Sequence, residues 1–367
     1  MPLERTQAAF DAGEIVGTLG AFGFDVTVPG GSAVSMAGTT MVTVQPTHRR
    51  RGVLTSMMEA HLDEVAETGE SLAGLWASES LIYGRFGFGM ATEHYDTRME
   101  AARITFREPP TGGNLRLIDP EEAAKLLPAI YAGIRLRRAG MLSRTAEWWE
   151  HRVLRDPTFW REGKSARRTV IYEREGDAVA YATYRQKEKW EEFFAHGTVN
   201  VVEVMTADPD AHAAMWDYLT NIDLFPRVEC WNLPVDDPLT AMITDRRRVI
   251  RRREDALWLR ILDVERAMTE RRYESDGAIT VEVRDQFRPQ TAGSFRLEIR
   301  DGVAACQRVD ADPDVKLDID VLGGLYLGGG DVHAMRAAGR IDGAADEVWK
   351  LGMLLHTRRA PWCSEIF

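Results

Sequence analysis

The chain has 367 residues, 44% of them hydrophobic and 28% charged, with a formal net charge of −11: room for two or three ordinary domains and a balance that opposes nucleic acid as a partner. No run approaches the ~18 uninterrupted apolar residues of a membrane span, and Met1 to Phe10 lacks the apolar centre of a targeting peptide. Cys230, Cys306 and Cys363 stand far apart, with no Cys-x-x-Cys and no His at ligand spacing, so the expectation is a cytoplasmic protein with free buried thiols, no disulfide and no metal site.

Strands are expected at Thr6 to Phe10, Ile15 to Val28, Ala33 to Val44, Ser71 to Ala77 and Thr92 to Met99, the first three as an antiparallel meander broken by Gly13, Pro29-Gly30-Gly31 and Gly38. Val42 and Val44 alternate around Thr43, and Pro46 stops the ladder. Val53, Met57, Leu62 and Val65 then give the apolar face of a helix running through Glu67. The basic turn Arg49-Arg50-Arg51-Gly52 therefore sits at a helix start, where unpaired N–H groups and the positive dipole end favour an oxyanion. There is no Gly-x-x-x-x-Gly-Lys-Ser/Thr and no strand followed by Gly-x-Gly-x-x-Gly, which disfavours a nucleoside triphosphatase and dinucleotide redox chemistry.

Arg107-Glu-Pro-Pro-Thr-Gly-Gly113 reads as a linker. Beyond it, Leu115 to Ile118, Arg168 to Glu173 and Ala178 to Gln186 read as strands, Glu121 to Arg138 and Ala146 to Leu154 as helices. Val199 to Met205, a turn, and a helix from Ala211 to Asn221 then copy the strand, turn and helix of Val42 to Glu67, an internal repeat. The second copy carries Asp208-Pro209-Asp210 where the first has its arginines, which suits helix capping and repels phosphate. The basic block Arg246 to Arg253 leads into the alternating Leu257-Trp258-Leu259-Arg260-Ile261 and reads as a solvated turn and strand edge. Asp263 to Arg272 (helix), Ile279 to Arg284, Ser294 to Ile299, Ala304 to Val309 and Val315 to Ile319 (strands), and helices near Val321 to Leu327, Val332 to Ala338 and Ala344 to Leu354 make an α+β region.

Arg49-Arg50-Arg51-Gly52-Val53-Leu54 resembles the coenzyme A loop of GNAT acetyltransferases, Arg/Gln-x-x-Gly-x-Gly/Ala, with Leu54 in place of the small residue. Tyr83-Gly84-Arg85-Phe86-Gly87-Phe88 is similar to the Tyr-x-x-x-Gly-Phe segment that follows it in that superfamily. Val44 to Gly52, Ala77-Ser78-Glu79 and Ile82 to Gly87 together look like the enhanced intracellular survival (Eis) family, and Val315 to Asp320 with Gly339 to Gly343 resembles the sterol carrier protein fold. The resemblance implies mixed α/β and α+β classes: an active GNAT unit at 1–103, a linker at 104–113, a degenerate GNAT-like unit at 114–263 and a sterol-carrier-like domain at 264–367. The first unit starts almost at its first expected strand, so the opening strand and two helices of an acetyltransferase unit are expected to be missing: either the start codon is misassigned or the substrate pocket is open.

The implied activity is transfer of an acetyl group from acetyl-CoA, without a metal, to a primary amine of a small cationic molecule such as an aminoglycoside or of a lysine side chain, by a homohexamer. In that reading Val42, Thr43 and Val44 hold the pantetheine arm, and Arg49, Arg50, Arg51, Gly52, Val53, Leu54 and Thr55 the pyrophosphate. Ser78 and Glu79 line the cofactor, Met41 and Trp76 face the acceptor, and the carboxylate of Phe367 takes up the proton. Tyr83 is the expected proton donor, since a phenol of pKa about 10 is protonated at neutral pH and matched to an alkyl thiolate. The apolar Trp362, Ile366 and Phe367 favour a tail inserted into the first domain. Two positions depart from the family, Ile366 standing where it has an acidic residue and Met41 where it has an aromatic one. The alternative is a non-catalytic lipid or ligand carrier with a vestigial acetyltransferase unit.

Overall fold

A computed structural model describes residues 1–367. The chain opens with β1 (Thr6–Asp11), β2 (Glu14–Thr27), β3 (Ala33–Val44), helix α1 (Val53–Glu67), β4 (Leu72–Trp76), the single turn α2 (Ser80–Tyr83) and β5 (Gly89–Met90). It continues through β6 (Glu93–Glu100), β7 (Asn114–Ile118), α3 (Pro120–Arg135), α4 (Ala146–Trp148) with a π-helical extension (Trp149–Leu154), β8 (Arg168–Arg174) and β9 (Asp177–Lys187). A small hairpin, β10 (Trp190–Glu191) and β11 (Phe194–Ala195), precedes β12 (Thr198–Met205), α5 (Pro209–Thr220), β13 (Arg227–Pro234), α6 (Leu239–Met242), β14 (Val249–Asp255) and β15 (Leu257–Ile261). The last stretch is α7 (Val264–Glu270), β16 (Gly277–Arg284), β17 (Gly293–Arg300), β18 (Val303–Val309), β19 (Val315–Asp318), α8 (Ile319–Leu325), α9 (Val332–Ala337), β20 (Ile341–Gly343) and α10 (Ala345–Leu355).

Three main sheets form, in the orders β1-β2-β3-β4-β15-β5, β14-β6-β13-β12-β9-β8-β7 and β18-β17-β16-β19-β20. Each holds one parallel pair, β3 with β4, β12 with β13 and β16 with β19. The first two sheets thus repeat one unit, a strand, a crossover helix and a parallel strand, as the internal similarity predicts.

By compactness the chain falls into two units, each drawn from more than one stretch of sequence. One compact unit comprises Met1–Glu93, Arg138–Leu142 and Asp255–Phe367, the other His94–Arg137 and Ser143–Glu254. The fifth expected strand, β6, lies in the second sheet against β13, while β15 completes the first sheet against β4. Leu257, Leu259 and Ile261 of β15 are 0% exposed, so their burial in the first sheet is worth several kcal/mol at about 25 cal/mol per Å². The stretch expected as a linker is tied down within the second unit: Arg107 N–H donates to Met242 O (2.8 Å), Thr244 N–H to Thr105 O (2.9 Å) and the Tyr172 hydroxyl to Gly112 O (2.9 Å). α3 ends at Arg135 rather than Arg138. The basic block falls on an edge strand, β14, as its charge suggests.

Candidate active site

β3 pairs with β4 only from Met36↔Leu72 to Gly38↔Gly74, yet β3 continues to Val44 and β4 to Trp76. The two parallel strands therefore part, leaving a gap into which β3 presents main-chain groups without a strand partner. A bulge sharpens the parting. The register against β2 passes from Thr18↔Thr43 to Gly20↔Thr40, so Met41 and Val42 oppose Leu19 alone, and Met41 adopts φ 53°. The Thr18 hydroxyl stands 3.0 Å from Met41 O and 2.8 Å from Thr43 Oγ1 and fixes this kink.

Alternation along the strands sorts side chains between two faces. Leu19, Ala21, Ala37, Ala73 and Leu75 pack with Met57, Met58 and Leu62 of α1. Phe24, Gly38 and Trp76 point the other way.

At the start of α1, Arg50 has φ 61° and Gly52 φ 84°, a left-handed pair that turns successive N–H groups in one direction. No side chain caps this helix; its first main-chain bond is Ser56 N–H to Gly52 O (3.0 Å), so the N–H groups of Gly52, Val53, Leu54 and Thr55 have no intrahelical acceptor. A Cβ built on Gly52 meets nothing within 4 Å: the space beside the turn at Gly52 is open. Arg49 and Arg50 are exposed and form no ion pair. Arg51 pairs with Asp11 (3.0 Å), as does His48 through Nε2 (3.1 Å). Hydrogen bonds from His48 and Arg51 keep the Asp11 carboxyl below the usual range.

The second repeat fills the equivalent place with its own carboxylate. Asp208 accepts from Asp210 N–H (2.8 Å) and Ala211 N–H (3.1 Å) at the start of α5 and is paired with Arg174. That helix start has its anion already.

Tyr83 ends α2, buried in the α1-side cluster and edge-on to Phe88 at 6.2 Å. Burial raises its pKa above 10, opposed by a hydrogen bond from Ser78 and assisted by the charge of Glu79. Ser78 and Glu79 are themselves exposed on the turn after β4.

The chain end lies on the opposite face. The Phe367 ring packs on Phe24 with centroids 5.0 Å apart, and a Cβ on Gly38 would come within 3.1 Å of it. The C-terminal residue thus stands where β3 and β4 begin to part. Of the apolar tail residues Trp362 is buried, but Ile366 is 50% exposed while Glu365 is 6% exposed, so the tail is seated by Trp362 and Phe367 and not by Ile366. Met41 is exposed on the bulge, and Trp76 half-buried at the end of β4. Phe24 is a site residue not expected from sequence; in β2 it reads as one apolar position in an alternating strand.

Models of the acetyltransferase (GNAT) domain match residues 2–91 and 140–261, and a sterol carrier protein domain matches 264–364. The chain is 39% identical to an N-acetyltransferase of Streptomyces avermitilis over 92% of its length and 83% of that protein. It is 34% identical to the N-acetyltransferase Eis of Mycobacterium tuberculosis over 89% of this chain and 79% of that one. The crystal structure of Eis1 from Mycobacterium abscessus superposes with a TM-score of 0.88 at 30% identity, covering 100% of this chain and 92% of that one. No helix is long and apolar enough to cross a membrane. Two GNAT domains, a sterol carrier protein domain and relatives of this closeness establish that the chain belongs to the Eis family of GNAT N-acetyltransferases.

Proposed function

We propose that the parting of β3 and β4 is the acetyl-transfer site, with acetyl-CoA approaching from the α1 side and the acceptor amine from the Phe24 side. The observation that carries this reading is Phe367 on Phe24 above Gly38, at the last paired residue of β3. Arg49, Arg50 and the N–H groups of Gly52 to Thr55 hold the pyrophosphate, Val42 to Val44 run beside the pantetheine arm, and Ser78 and Glu79 line the cofactor. A neutral amine attacks the thioester carbonyl carbon; the C–N bond forms and the C–S bond breaks. Tyr83 gives its proton to the departing thiolate, and the Phe367 carboxylate, directly or through water, takes the proton the nitrogen loses. An ordinary α-carboxylate, pKa about 3.5, is a weak base; its value here is position beside the nitrogen and attraction for the ammonium form that first binds.

The acceptor is a primary amine of a cationic molecule, aminoglycoside-like or a lysine side chain. Phe22, Phe24, Phe367 and Trp76 supply aromatic surface suited to a cation, Met41 stands at the rim, and the net charge of −11 has the complementary sign. The working form in this reading is a cytoplasmic homo-oligomer, a hexamer as in the family resembled. The test is thiol release from acetyl-CoA with kanamycin, a polyamine or a lysine peptide, with mass spectrometry of the amine. An acetylated amine at the rate of thiol release is expected. No thiol above the blank with any amine, and no thermal shift by coenzyme A, would overturn the reading in favour of a non-catalytic carrier.

A further inference from the structure

Five residues from the chain between α3 and α4, Arg138–Leu142, belong to the first compact unit. They run beside the end of β2: Gly140 N–H donates to Thr27 O (2.8 Å), Thr27 N–H to Met141 O (2.8 Å), and Leu142 bridges Val26. Met141 and Leu142 are fully buried. On its other side the segment holds the tail. Trp362 N–H donates to Ala139 O (2.9 Å), and the Arg138 guanidinium lies 6.0 Å from the centre of the Trp362 ring.

These bonds close a ring of contacts. β2 carries Phe24 and, three residues on, Thr27; Thr27 holds the segment, the segment holds Trp362, and five residues later Phe367 returns to Phe24. Gly140 is the tight point. Its φ is 93°, and a Cβ there would come within 2.9 Å of Trp362 O and 3.1 Å of Trp362 C, so a side chain must push the tail's backbone away. The tail from His356 to Phe367 has no helix or strand of its own, so its end is placed by such tethers.

We propose that Arg138–Leu142 is a clamp that sets the position of the C-terminal carboxylate, with Gly140 as a positioning residue for acetyl transfer. This rests on the reading of the Phe367 carboxylate as proton acceptor. The clamp touches neither the Arg49–Thr55 turn nor Tyr83, so its disturbance acts on turnover and leaves cofactor binding alone.

The test uses the full-length enzyme with an acceptor that supports turnover, and compares Gly140→Ala with a chain carrying one extra glycine after Phe367, singly and combined. Gly140→Ala is expected to lower kcat roughly 10²-fold, the cost of a misplacement near 1 Å, with the KM for acetyl-CoA and the thermal shift by coenzyme A unchanged. Combined with the extension it adds nothing, because both act through one group. An unchanged kcat in Gly140→Ala, or losses that multiply in the double variant, overturns the clamp. An extension that by itself leaves kcat intact overturns the carboxylate reading, and the clamp with it. Should Gly140→Ala fail to fold, Trp362→Phe and Trp362→Ala make the same comparison: kcat survives the first and falls in the second with the KM for acetyl-CoA unmoved, and equal kcat in the two overturns the inference.

Discussion

Tyr83 and His61 show how burial decides a side chain's work. Because burial holds the Tyr83 phenol above 10, it stays protonated across the neutral range, and in the proposed role of proton donor turnover should show no loss from its ionisation below about pH 10. Tyr83→Phe is expected to reduce kcat by roughly 10²- to 10³-fold with little change in the KM for acetyl-CoA; a kcat within a factor of two of the parent would remove it from the mechanism. His61 is the opposite case. Its Nε2 lies 2.8 Å from Thr39 Oγ1 on β3, and burial, with the charge of Arg5, lowers its pKa from 6.5 to about 4. Between those values the unfolded chain binds a proton that the folded chain refuses. Stability from this group is therefore complete above pH 6.5 and declines as pH falls through 4, by at most about 3 kcal/mol. Urea midpoints measured from pH 7 to 4 should fall less steeply in His61→Gln than in the parent; an identical slope would contradict the assignment.

The strands and helices divide their roles between the two repeats by what stands at one helix start. No side chain caps the first N–H groups of α1, whereas in α5 Asp208 accepts from the corresponding groups. Arg49→Ala and Arg50→Ala should each raise the KM for acetyl-CoA by roughly five- to tenfold, more at low salt, with kcat unchanged. Asp208→Ala should cost about 1 kcal/mol of stability and leave that KM alone; a shift in KM from Asp208→Ala, and none from the arginines, would place the cofactor on the wrong repeat. Much of this was legible in the residues, since Val42-Thr43-Val44, Pro46 and Gly52 bound β3 and α1 by local rules, and the repeat shares their order. The parting of β3 and β4 was not, because it depends on where pairing stops and on a bulge at Met41, neither of which leaves a local pattern. Arg51 looked like its neighbours in sequence, and only the fold brings Asp11 to it. The tail was legible through family resemblance, while its clamp reads locally as the end of a helix.

At the scale of the molecule, the two repeats are not consecutive beads. The first sheet takes β15 from residues 257–261 and yields β6 to the second, an arrangement hidden from a reading in chain order because a strand's own sequence does not name its partner. A fragment of residues 1–103 lacks the strand that covers β4 and should fail to fold alone; a dispersed amide spectrum from that fragment would contradict this assembly of the sheet. In the proposed reaction, acid and base stand on opposite faces of this one sheet, at the point where β3 leaves β4. A crystal structure of the full-length enzyme with acetyl-CoA would locate both groups against the thioester. The thioester carbonyl is expected in the gap beyond Gly38 and Gly74, with the Tyr83 hydroxyl toward the sulfur and the Phe367 carboxylate on the far side. A thioester bound elsewhere, or Tyr83 and the terminal carboxylate on the same side of it, would overturn that reaction.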